Sequence, residues 1–243
     1  MDFSSETKVK DIALSNPSSR QVLENARADY CCEGGKSLQE ACRHTNVSVD
    51  EVLERLRENS QHVDPSESNW VSAPLSTLTA HIKNHHHNYV RQSILRIVPL
   101  LEKVNAKHGS NHPELAEIDS AFRAVAKEMT SHMQKEEMIL FPFIDVLDSA
   151  TTNQTTLEAP FFQTVRNPIQ AMMKEHDGAG DLVKQIRKFS SDYVPPEEAC
   201  TSYKALFQEL REFERDLHQH VHLENNILFP RAVDLEGAVL CPR

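Results

Sequence analysis

Two stretches of this chain set a histidine and a glutamate four residues apart at the head of an apolar run. They are HMQKEEMILFP, His132 to Pro142, and HVHLENNILFP, His220 to Pro230. Imidazole and carboxylate supply nitrogen and oxygen donors, which can shuttle protons or bind a metal ion. On a helix, residues four apart lie one turn from each other on one face. Here that face is apolar. It runs through Phe122, Val125, Met129, His132, Glu136, Ile139 and Phe143 in one stretch, and through Leu206, Leu210, Phe213, Leu217, His220, Glu224 and Ile227 in the other. A carboxylate buried on such a stripe without a counter-charge costs several kcal/mol. Neither stripe carries Lys or Arg, and a metal ion removes the penalty.

Two further helical patterns add inward histidines. One stripe runs Ile169, Met172, His176, Ala179, Val183, Ile186. The other runs Val90, Ile94, Ile97, Leu101, Val104 and begins at the triplet His85, His86, His87, among which periodicity does not choose firmly. Residues that meet across an antiparallel hairpin lie about equally far from its turn. With His87 as the first member, the midpoints of neighbouring histidines fall at 109.5, 154 and 198, inside HGSNHP, TTNQTT and PPEEAC. His132, His176, His220 and the first-helix histidine therefore share one height, and Glu136 and Glu224 lie one turn on. A single histidine on an apolar face is ordinarily a hydrogen-bonded core residue; four at one level with two carboxylates form a metal-binding set. His108 is excluded, because 21 residues of helix place it roughly 30 Å away. Four imidazoles and two carboxylates from four helices suit two iron or manganese ions bridged by the glutamates, with the nitrogen-rich set favouring iron. A structural zinc takes fewer ligands, commonly thiolates.

The elements that must hold these groups are all helical. The 243 residues contain only 6 glycines and long stretches of 3.6-residue periodicity. We expect an all-α protein: an antiparallel four-helix bundle over 74–243, preceded by a small helical domain over 1–58 and a polar linker, 59–73. In the small domain, Ser37-Leu-Gln-Glu40 has the form of a capping box, and Ser48 or Asp50 opens a further helix. A net charge of −10 without a basic run argues against nucleic acid or an anionic membrane as partner. No stretch has the form of a signal peptide or spanning helix, so a cytoplasmic protein is expected. Five cysteines in a chain of this size do not make a disulfide framework. Cys31 and Cys32 are adjacent, before a glycine turn and a capped helix whose N-terminus would favour thiolate, with Glu33 opposing. Cys42 and Cys200 read as packing residues and Cys241 as a tail thiol. Glu175, beside His176, is a candidate to orient a ligand or to line a route for small molecules.

Over nearly its whole length the chain resembles the iron–sulfur cluster repair di-iron proteins, and its bundle resembles the hemerythrin-like domain. The marks are DYCC at Asp29–Cys32, SAPL at Ser72–Leu75, HGSNHPEL at His108–Leu115 and SHMQKEEMILFP at Ser131–Pro142. KEHDGAG at Lys174–Gly180, PPEEACTSYKA at Pro195–Ala205 and HVHLENNILFPRA at His220–Ala232 complete them. The resemblance implies His87 as the first ligand, beside His132, Glu136, His176, His220 and Glu224. It also implies two iron ions per chain in an oxo- and carboxylate-bridged centre, and a redox-active or iron-handling pair at Cys31 and Cys32. Its partners are iron–sulfur proteins damaged by nitrosative or oxidative stress, with nitric oxide or oxygen as small ligands; a homodimer is left open. One departure stands out: the family writes CCGG where this chain has Cys31-Cys32-Glu33-Gly34-Gly35. The other reading of such a bundle is an oxygen or nitric oxide carrier or sensor, which has no use for the cysteine domain.

Overall fold

The structure, a computed structural model, describes residues 3–43, 45, 47–59 and 70–240. Most of the expected linker, 60–69, and Cys241 lie outside the described residues. The chain divides into two compact units. One comprises residues up to Pro74 together with Val221–Arg231, and the other Leu75–His220 together with the residues from Ala232 onward.

The first unit opens with α1 (Val9–Ser15), α2 (Pro17–Asn25), α3 (Leu38–Cys42) and α4 (Val49–Asn59). Their ends are written locally. Asn16 accepts the Ser19 amide at 2.7 Å, with Pro17 in the first turn of α2. The expected capping box forms at α3, where Ser37 and Glu40 satisfy each other's backbone amides. Ser48, whose carbonyl accepts the Val52 amide, stands at the start of α4. Val9, Ile12, Leu23, Leu38, Val52 and Leu56 are buried and form the core of this unit. The Val221–Arg231 stretch joins it through side-chain hydrogen bonds. Asn226 Nδ2 donates to the Tyr30 carbonyl (3.0 Å), Asn225 Nδ2 to the Cys31 carbonyl (3.2 Å), and Arg231 to the carbonyls of Trp70 and Ala73.

The second unit contains the rest of four long helices. The first is α5 (Leu75–His81), a π-helical segment Ile82–His87 and α6 (Asn88–His108). The second is α7 (Glu114–Lys135), a π-helical segment Glu136–Leu140 and α8 (Phe141–Asn153). The third is α9 (Arg166–Phe189), and the fourth is α10 (Thr201–Leu223), a π-helical segment Glu224–Leu228 and α11 (Phe229–Leu240). Helix α7 packs against α6 and α9, and α5 against α8. This is the expected helical bundle. Phe122 and Phe213 meet edge to face at 5.3 Å in its core, with Leu101, Val125, Val183 and Leu210 buried around them. Carboxylates fix helix starts. Glu236 accepts the Val165 amide at 2.7 Å where α9 begins, and Asp148 accepts the Ser76 amide and hydroxyl in the first turn of α5. No described helix is long and apolar enough to cross a membrane.

The three π-helical segments are the departure from the even periodicity read in the sequence. Each adds a residue to its turn and carries or begins at a site residue: His87, Glu136 and Glu224. Downstream of Glu136 the facing residues shift. Ile139, expected to point inward, is 39 % exposed, and Phe143 is partly exposed; Leu140, Ile144 and Leu147 fill the core instead. Proline explains two of the three. Pro142 and Pro230 cannot donate a ladder hydrogen bond, and their rings crowd the carbonyls of Met138 and Asn226, four residues back. Both carbonyls lie within the widened turns.

Candidate metal centre

His132 comes from the last turn of α7, Glu136 from the π turn that follows, and His176 from the middle of α9. His87 ends the first π turn; His220 and Glu224 lie one turn apart on the last helix. All six are buried, with exposures of 0–1 %.

Their donor atoms fall into two sets, each within 4.8 Å: His87, Glu136, His220 and Glu224, and His132, Glu136, His176 and Glu224. The histidines divide two and two, while both glutamates belong to both sets. Glu136 Oε2 stands 3.4 Å from His87 Nε2 and 3.3 Å from His132 Nε2. The Nε2 atoms of His132 and His176 are 3.0 Å apart. The donor set fits metal binding: wholly buried, nitrogen- and oxygen-only, with both carboxylates common to the two groups of imidazoles.

The imidazoles are oriented from behind. His87 Nδ1 is 2.7 Å from Glu137 Oε1, which also accepts from Arg91 at 2.8 Å. His132 Nδ1 is 2.9 Å from Glu175 Oε2, and the other Glu175 oxygen pairs with Lys135. With Nδ1–H donated to a carboxylate, each ring turns the Nε2 lone pair toward Glu136. Burial alone would raise the pKa of Glu137 and Glu175. Hydrogen bonds from His87 and Arg91 hold Glu137 below the usual carboxylate range; those from Lys135 and His132 do so for Glu175. Both stay ionised and keep the proton on Nδ1. The expectation for Glu175 as a ligand-orienting residue thus acquires its geometry.

Other sequence expectations fall as follows. Among the triplet, His85 is exposed, and His86 is buried against Asp216 rather than among the six. His108 lies apart from the set, its Nε2 3.3 Å from Cys200 Sγ. Cys200 is only half-buried and stands immediately before α10. Its thiol pKa is lowered by the backbone amides of Tyr203 and Ser202 and by Lys107 and Lys103.

At the cysteine pair the expected thiolate is not favoured at Cys31. This thiol is buried and pushed well above its ordinary value by its hydrogen bond with Cys32, by burial and by Asp29, whose carboxylate it meets at 3.3 Å. Asp29, Cys31 and Cys32 form a three-donor group of their own. In the following turn Glu33 is exposed and pairs with Lys36. Gly34 is the demanding position, since a Cβ there would meet the Tyr30 carbonyl at 2.7 Å and Lys10 Cβ at 2.9 Å.

Sequence reasoning missed Glu137 and the His86–Asp216 pair. Glu137 had one visible signal. The first copy of the repeat doubles the acid, Glu136-Glu137, where the second has Glu224-Asn225.

Residues 77–232 match the hemerythrin HHE cation binding domain, and residues 5–60 match a domain of unknown function, DUF542 or ScdA_N. A probable iron-sulfur cluster repair protein of Haemophilus influenzae is 32% identical over 235 residues, covering 96% of this chain and 99% of that protein. The iron-sulfur cluster repair protein YtfE of Yersinia pseudotuberculosis is 30% identical over 233 residues, with 96% and 99% covered. Its namesake in Salmonella newport is 33% identical over 223 residues, with 92% and 94% covered.

Proposed function

Because the chain belongs to the hemerythrin HHE family, and along nearly its whole length to the iron–sulfur cluster repair proteins, we propose that it repairs iron–sulfur clusters from a two-iron centre in its bundle. His87 and His220 would hold one ion and His132 and His176 the other, with Glu136 and Glu224 available to both. The observation that carries this is the membership of both glutamates in both donor sets. When bound, such a pair supplies a store of iron and a centre able to take up nitric oxide or oxygen. The residues around it do the rest. Glu137 and Glu175 fix the imidazole tautomers, and Leu, Ile and Phe side chains keep bulk water off the donors.

Cys31, Cys32 and Asp29 are the exchange point for damaged iron–sulfur proteins. Asp29 and Cys32 are only partly buried, unlike the six donors of the bundle. A carrier or sensor of oxygen or nitric oxide would need only the bundle, so the cysteine unit favours repair. Free thiols throughout the described residues suit a reducing compartment, the cytoplasm.

Elemental analysis and Mössbauer spectroscopy of the purified chain test the centre. Two irons per chain are expected, with His132→Ala losing most of the iron and His108→Ala retaining it. One ion per chain, a predominance of zinc, or equal losses in the two variants would overturn the assignment.

A further inference from the structure

The π turn Ile82–His87 buries two consecutive histidines, and only one of them joins the six donors. His87 meets Glu136; His86, 3 % exposed, turns to Asp216, with Nδ1 3.0 Å from Oδ1. His85, at the exposed rim, places its ring 4.9 Å from that of His86 and nearly perpendicular to it. One donor atom each of His85, His86 and Asp216 lies within 4.8 Å of the others. A hydrogen-bonded His–Asp pair alone would be an ordinary core feature. Two observations go further. The other Asp216 oxygen, Oδ2, is buried and has no hydrogen-bond partner among the described residues, and a third donor converges from the solvent side.

We propose that His85, His86 and Asp216 form a second, exchangeable site for a divalent transition-metal ion. Two imidazoles and one carboxylate with open positions suit Fe(II), and equally Co(II) or Zn(II). The donors run from exposed His85 to buried His86, so an ion there keeps water ligands and exchanges with solvent. The His86 ring stacks on that of His220 at 5.6 Å and 10°, so the site adjoins the buried centre. Its role as a station for iron entering or leaving that centre rests on the function proposed above; binding itself rests on the three residues alone.

The probe is Co(II), added to the full iron-loaded chain and followed by visible absorption and calorimetry. One equivalent should bind beyond the iron already present, at least tenfold more weakly in His85→Ala and Asp216→Asn, with bundle iron unchanged. His85 is exposed, so its replacement leaves the fold intact. No added equivalent, or undiminished binding in His85→Ala, overturns the site. Release of bundle iron to a chelator should slow several-fold in His85→Ala. If cobalt binding is lost and release is unchanged, the station role is overturned and the site stands. A chain that carries no iron from the outset sinks the two-iron reading instead. Cobalt lost on His85→Ala then still decides the outer site.

Discussion

Glu137 and Glu175 do the same work from different places. Each accepts from the Nδ1 of one site histidine and from one cation, Arg91 or Lys135. Their ionised state makes the imidazole a better donor and fixes which nitrogen faces inward. Replacing either by Gln keeps an acceptor and removes the charge. We expect Glu137→Gln and Glu175→Gln to fold normally and to bind iron about 10-fold or more weakly, measured as iron retained against a competing chelator. Retention and release at the parent values in both variants would show the carboxylates to be surface decoration. Of the two, only Glu175 was legible, because it adjoins a histidine already on the inward stripe. Glu137 reaches across to His87, 50 positions away in the chain. No local pattern encodes such a pairing; only the packing of two helices creates it.

At the scale of the element, the repeated motif gives two instructions at once. His-x-x-x-Glu places donors one turn apart, and the proline six residues after the glutamate loosens the intervening turn into a π-helical one. The periodicity followed the buried face up to each glutamate and failed beyond Glu136, because an even 3.6-residue repeat has no room for an added residue. The first π turn, Ile82–His87, is followed by Asn88 rather than a nearby proline, so its sequence gave no warning. The shift has a stability signature. Leu140→Ala, at a buried position, should cost about 2–5 kcal/mol. Ile139→Ala, at an exposed one, should cost about 0.5 kcal/mol or less. Urea midpoints of the two variants decide the matter. Equal losses would restore an uninterrupted α-helix through Glu136.

Across the whole molecule the two copies of the motif diverge where their duties differ. After the shared glutamate, the first copy continues Glu137-Met138 and the second Asn225-Asn226. Glu137 serves His87, whereas the two asparagine amides hold the carbonyls of Cys31 and Tyr30. The vicinal cysteines are thereby fastened to the turn that carries Glu224, by the two residues that follow it. Composition and capping signals foretold a small helical domain before a bundle. They did not foretell that eleven residues of the last helix, Val221–Arg231, group with it, because amide-to-carbonyl bonds across nearly two hundred residues leave no periodic trace. If the cysteines hand on what the bundle stores, chemistry at the two places should separate on mutation. Cys31→Ser with Cys32→Ser removes the thiols and none of the six bundle donors. Its iron content and Mössbauer spectrum should match the parent, while reactivation of a nitric oxide-damaged aconitase-type enzyme in extract should fall to background. Full recovery with the double variant would reduce the cysteines to packing residues and return the bundle to a carrier or sensor. Loss of bundle iron in the same variant would mean that the anchoring around Tyr30, Asn225 and Asn226 is needed to keep Glu224 in place.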